Sequence, residues 1–211
     1  MNNRIPEIRW KNPWLLRGAI YDDIVAAYKG HEYRLTDAFA LETIRRYYDA
    51  WMPYEVRILT AMCDVIGLEF RQNIIDVYVA PFYHSFSDPM VIATKYESDR
   101  AVEVLAHELM HRLLTDNTKN HYLTNFVETW RELFGGQHTH NTLVHIPVHA
   151  LMQAVFVDYL HEPERIERDK KMYENYPDYK AAWDYVDRVG YKQIIEQLRS
   201  ATYPQPKEGE V

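Results

Sequence analysis

The segment from Thr142 to His161 constrains the fold more than any other part of the chain. Apolar residues lie on nearly every side of the helix that this segment predicts, and a helix without a polar face must be buried. A membrane span is not indicated, because two His, a Gln, an Asp and a Pro interrupt the run Leu143–Leu160. The sequence therefore predicts a globular chain in which other elements cover this helix.

Periodicity predicts a mainly helical chain with a short β-rich part. A helical pattern opens at Asp37, continues to about Ile66 and is broken at Pro53. The alternation over Ile75–Val79 predicts a half-buried strand, and Met90–Tyr96 predicts a second β-rich stretch. Further helices are predicted over residues 100–114 and 122–134, from Pro177 and after Gly190. The expected class is α+β, predominantly helical, with a small β-sheet and further helices C-terminal to it.

Composition narrows the function classes. The chain has 211 residues, 47% of them hydrophobic, which is enough for a sizeable core. A net charge of -7 lacks the basic footprint of a nucleic-acid partner and gives no reason to expect an anionic membrane surface. The N-terminus has no apolar secretory segment, and Cys63 is the only cysteine. A cytoplasmic, reducing location is expected.

The residues suited to catalysis are concentrated in His107-Glu108-Leu109-Met110-His111, an H-E-x-x-H pattern. Residues four apart face the same way on a helix, so both imidazoles can bind one metal ion. Glu108 is then placed to take a proton from a metal-bound water, and two His ligands leave room for a third. In the alternative, both His lie on a surface face that Glu103 and Glu108 salt-bridge. That alternative is disfavoured because the helix is apolar over most of its circumference.

This segment resembles the active-site helix of the zincin metallopeptidases. The match covers the motif and the strand–helix context before it, about thirty residues. The resemblance implies a Zn²⁺ cofactor, a peptide or protein substrate, and a motif helix packed on a small mixed β-sheet. It also implies that Met90–Tyr96 corresponds to the strand that runs antiparallel to bound peptide. Arg112 departs from the family pattern, which usually has an uncharged residue after the second His.

Two candidates compete for the third metal ligand. The stretch from Glu128 to Gly135 is similar to the glutamate helix of gluzincins, but helical phase places Glu128 on the polar side. The pair His145 and His149 lies one turn apart on the buried helix; alternatively, both are core histidines bonded to carbonyls freed by Pro147. We assign the metal to His149, beyond Pro147 on the regular helix. His145 is then expected to stabilise an oxyanion, although the two assignments can be exchanged.

The sequence thus predicts a zinc-dependent metallopeptidase. Its predicted metal ligands are His107, His111 and His149, and its catalytic residues are Glu108 and His145. A non-peptidic amide hydrolase and a catalytically silent binding or regulatory module are the alternatives. We expect an N-terminal helical region over 1–67, a zincin-like catalytic region over 68–200 that forms one compact unit with it, and a disordered tail over 201–211.

Overall fold

The computed structural model describes residues 5–13, 37–80, 84–117 and 126–202. Within these ranges the chain is mostly helical, with a four-stranded sheet, and the predicted α+β class is confirmed. The strands are β1 (Glu7–Lys11), β2 (Ile74–Ala80), β3 (Phe86–Ser87) and β4 (Met90–Ala93). The helices are α1 (Asp37–Trp51), α2 (Glu55–Ile66), α3 (Ser98–Asp116), α4 (Phe126–Phe134), α5 (His140–Gln153), α6 (Pro163–Tyr173), α7 (Pro177–Val189) and α8 (Tyr191–Thr202), and a π-helical segment, Ala154–Tyr159, continues α5.

The chain divides into two compact units that interleave along the sequence. One unit comprises Pro6–Val56 and Gln72–Leu109, and the other comprises Met1–Ile5, Arg57–Arg71 and Met110–Val211. In the first of these units, β1 pairs with the much later β2.

The first unit contains the mixed sheet. Its strand order is β1-β2-β4-β3, with β1 and β4 parallel to β2 and β3 antiparallel to β4. Ile75, Val77 and Val79 of β2 are buried, as their alternation predicts. Strand β1, with Ile8 opposite Ile75, was not predicted. The Tyr47 hydroxyl of α1 lies 3.1 Å from the Ala93 carbonyl oxygen and fastens this helix to the end of β4.

The second unit is built around α5, the helix that sequence predicts to be buried. Its buried residues include Leu143, Ile146 and Leu151, and it packs against α4, α6, α7 and α8. The predicted burial is confirmed for α5, whereas Asp158, Tyr159 and His161 near the end of the predicted segment are exposed. The sequence predicts one regular helix to His161, but the structure departs from this after Gln153. There the backbone widens into a π-helix, and the Leu160 N–H donates to the Val155 carbonyl oxygen at 3.0 Å.

Helix boundaries follow the local signals. The break at Pro53 separates α1 from α2, and α2 ends at Ile66, directly before Gly67, whose φ of 75° favours glycine. Helix α4 begins at Phe126, and residues 122–125 of its predicted span lie outside the described ranges. Helix α8 runs to Thr202, and the rest of the predicted tail, 203–211, also lies outside them. Among the described helices, none is both long and apolar enough to cross a membrane.

Candidate metal centre

The H-E-x-x-H motif lies in the interior of α3, as predicted. Leu105, Leu109 and Leu113 are fully buried and fix the helix in place. His107 is buried, while His111 one turn later is half-buried. Side chains four residues apart lie on the same side of a helix, so the backbone of α3 alone brings these two imidazoles together.

Glu103 excludes the alternative of a surface salt-bridged face on this helix. Its side chain is fully buried and forms an ion pair with Arg100, whose side chain is 7% exposed. The alternative required the Glu103 carboxylate to lie on a solvated face, but this carboxylate is inside the protein. His107 and His111 share a largely interior helix, where ionisable side chains need partners.

His145 approaches the motif from α5. Its Nδ1 lies 2.6 Å from the backbone carbonyl oxygen of Asn141. A carbonyl oxygen can only accept, so Nδ1 carries the proton and donates it in this bond. The other ring nitrogen, Nε2, then keeps its lone pair. This is the arrangement in which a backbone carbonyl orients an imidazole for a metal.

Three imidazoles form the candidate metal site. The ligand atoms of His107, His111 and His145 all lie within 4.8 Å of one another. The rings of His111 and His145 meet edge to face, with centroids 4.9 Å apart. Zinc–imidazole bonds of about 2.0–2.1 Å hold two ligand nitrogens no more than about 4.2 Å apart. Small side-chain rotations therefore suffice for the three to share an ion, and an all-imidazole set suits zinc.

Burial keeps two of these histidines, His111 and His145, neutral near pH 7. Burial lowers the pKa of His145 to about 4, while the Asn141 carbonyl and Asp178 act in the opposite direction. Burial also lowers the pKa of His111 well below its usual value, and the neighbouring His145 adds to that effect. A neutral imidazole has the lone pair that a metal ion needs, so the site can bind metal without first losing protons.

His149 lies outside this three-ligand group. Its fully buried ring stacks on Trp183 of α7, with centroids 4.2 Å apart and planes at 11°. The ring is 5.5 Å from that of His145, and burial lowers its pKa well below the usual value. The structure thus groups His145 with the two motif histidines, whereas the sequence assigned the metal to His149. Contacts with other helices distinguish the two residues. Trp183 of α7 stacks on His149, whereas the ring of His145 lies perpendicular to that of His111.

Glu108, the predicted general base, is placed by the motif next to the first histidine. It follows His107 on α3, is half-buried and does not belong to the three-ligand group. Burial raises the pKa of Glu108 to about 8. A carboxyl group that titrates near neutral pH can take and return a proton within one reaction cycle.

Glu128 is on the solvent side of α4, as its helical phase predicts. Its side chain is 50% exposed and lies 3.4 Å from the guanidinium of Arg131. Arg112, which departs from the zincin pattern, pairs with Asp116 one turn later at 3.1 Å. The departure is therefore accommodated along the surface of α3. His140 is exposed.

Sequence reasoning missed two residues of α7 beside the site. The ring centroid of Tyr179 is 4.1 Å from that of His145, and Tyr173 stacks on Tyr179 at 4.5 Å. Asp178 bonds the first turn of α5. Tyr179 and Asp178 are more than thirty residues from His145 along the chain. No local signal distinguishes Tyr179 from the other Tyr of the chain, 17 in all, or Asp178 from the other carboxylates.

Strand β4 departs from the substrate-binding strand that the resemblance implies. Its backbone pairs with β2 over Val91–Ala93 and with β3 over Met90–Val91. The Ala93 N–H donates to the Ser85 hydroxyl at 3.1 Å. Along Met90–Ala93 the strand is therefore engaged from both sides.

Comparisons with protein-family models, with characterised proteins and with solved structures give no match.

Proposed function

We propose that this protein is a zinc-dependent metallohydrolase whose ion is held by His107, His111 and His145. The observation that carries the proposal is the convergence of three imidazoles, whose ligand atoms lie within 4.8 Å of one another, and Glu108 directly follows one of them, His107, in sequence. Catalytic zinc in proteins takes three protein ligands and leaves one position open. A zincin-like arrangement of α3 on the mixed sheet and a cytoplasmic location belong to the same proposal.

A bound Zn²⁺ would supply the Lewis acidity that polarises a substrate carbonyl and acidifies a water molecule. The proton transfers are carried out by a side chain of the protein. Glu108 takes a proton from the water whose oxygen attacks the carbonyl carbon. As the C–N bond breaks, Glu108 gives that proton to the leaving nitrogen.

His145 cannot combine a ligand role with the oxyanion role that the sequence assigned to it. Its Nδ1–H is committed to the Asn141 carbonyl, and Nε2 would hold the ion, so no N–H is left to donate. The second buried imidazole, His149, contributes its stacking on Trp183 to the packing behind the site.

A peptide is the substrate that the zincin resemblance favours. The pairing of β4 on both sides favours a second candidate, a non-peptidic amide, because a peptide cannot add to this strand along Met90–Ala93. Both candidates use the same water attack and the same proton transfer by Glu108. They differ in what must fit beside the three histidines.

The Glu108→Gln variant tests the hydrolase proposal. The amide keeps the size of the side chain and removes its proton-accepting function, so zinc should be retained. Hydrolysis should fall by about 10²–10⁴-fold, the usual contribution of a general base. Glu132→Gln, at an exposed position of α4, is the matched control and should behave as wild type.

Both variants are assayed with zinc loaded, on a quenched fluorescent peptide library and on small aryl amides. The substrate set that turns over separates peptidase from amide hydrolase. Equal rates for Glu108→Gln and wild type would show that Glu108 is not the base. Wild-type protein that binds zinc but turns over neither set would favour the silent binding module.

A further inference from the structure

The first turn of α5, which carries the candidate third ligand, is held by one carboxylate from α7. Thr139 caps the helix, because its Oγ1 accepts from the Thr142 N–H at 3.1 Å. The Thr139 hydroxyl donates in turn to Asp178 Oδ1 at 2.8 Å. The Asn141 amide lies 3.4 Å from Asp178 Oδ2. Asp178 thus bonds the cap and the first turn together.

The same turn orients His145. Asn141 offers its side-chain amide to Asp178 and its backbone carbonyl to His145 Nδ1, at 2.6 Å. The Thr142 hydroxyl adds a bond to the backbone carbonyl oxygen of Asp178 at 3.2 Å. Displacing this turn would therefore displace the carbonyl that fixes the tautomer and the rotation of the imidazole.

We propose that Asp178 is a positioning residue for zinc binding: it fixes the first turn of α5 so that Asn141 holds His145 with Nε2 toward His107 and His111. The proposal rests on the proposed metal site. It gives Asp178 a function beyond joining α5 to α7, because the group it steadies is the carbonyl that selects the metal-binding tautomer.

A purely structural role predicts a different outcome. An ordinary fastener between helices would stabilise the folded protein without changing the zinc affinity of the molecules that are folded. Removing a positioning residue weakens the zinc affinity of the folded protein, because part of the binding free energy must then order the ligand side chain. Zinc affinity of the folded protein and the tautomer of His145 separate these roles.

The first experiment is a zinc titration against a competing chelator for wild type, Asp178→Asn and Asp184→Asn. Asp184 is the matched control, since it is exposed on the same helix and pairs with Lys180 at 2.7 Å. We expect about 10- to 100-fold weaker zinc binding in Asp178→Asn, the usual loss when a group that orients a ligand is removed. Asp184→Asn should match wild type.

The second experiment needs no metal. Nitrogen-15 NMR of the zinc-free protein reports which ring nitrogen of His145 carries the proton. Wild type should show the Nδ1–H form, and Asp178→Asn should show a mixture of tautomers. If Asp178→Asn does not fold, Asn141→Ala replaces it. This variant keeps the backbone carbonyl of residue 141 and loses only the side-chain amide contact to Asp178. It should show a smaller decrease in zinc affinity and a smaller fraction of the second tautomer.

The outcomes distinguish this inference from the proposed function. Wild type that binds no zinc would overturn both. A second outcome would support the metal site alone. Wild type would bind zinc, His107→Ala would not, and Asp178→Asn would keep both the wild-type zinc affinity and the His145 tautomer. In that case Asp178 is only a fastener, and the inference is wrong.

Discussion

Acid should destabilise the zinc-free protein through its buried histidines. Burial lowers the pKa of His111, His145 and His149, so below the ordinary histidine pKa of 6.5 the unfolded chain binds protons that the folded chain does not. The corresponding stability is fully present above pH 6.5. It is lost as the pH falls toward the folded-state pKa values.

The size of the effect can be worked out for His145. A change in pKa from 6.5 to about 4 corresponds to about 3 kcal/mol of unfolding free energy, of which about 2 kcal/mol is lost between pH 7 and pH 5. Glu108 acts in the opposite sense. Its pKa is raised from 4.5 to about 8, so its contribution is present below 4.5 and is lost as the pH rises through 8.

The His145→Gln variant isolates one histidine from these opposing effects. Urea unfolding of both proteins is followed by circular dichroism at pH 7, 6 and 5 in the presence of a chelator. Wild type should lose about 2 kcal/mol more than His145→Gln over this range, because the variant lacks one titrating ring and keeps Glu108. An equal loss in the two proteins would refute a buried, neutral His145.

Two further predictions concern the ligand set. His145→Ala should lose most zinc affinity, whereas His149→Ala should keep the metal and lower the melting temperature through its lost stacking on Trp183; zinc titration and thermal melting of both variants check this. Glu128→Ala removes an exposed ion pair with Arg131 and should change stability by less than about 0.5 kcal/mol with no change in zinc content.

Local patterns were sufficient for much of the helical fold. Pro53 cannot continue a helix, and the structure breaks there. The apolar neighbours of the motif predicted an interior helix, and helical phase predicted an exposed Glu128; both are found. These predictions succeed because each depends on residues within one or two turns.

Features that depend on distant residues could not be predicted. Strand β1 exists because it pairs with β2, more than sixty residues later. His145 and His149 present the same helical face, and the choice between them depends on Trp183 and His111, which belong to other helices. No periodicity in α5 encodes either contact. The sequence analysis therefore identified the pair but chose His149 for the metal, whereas the three-histidine group contains His145.

The most direct test of the three-histidine site is zinc content by mass spectrometry. Wild type and a His107→Ala, His111→Ala double variant are purified without chelator, supplied with equal zinc and dialysed. The account predicts about one zinc per wild-type chain, as a single three-ligand site requires, and almost none in the double variant. Full zinc occupancy in the folded double variant would contradict it.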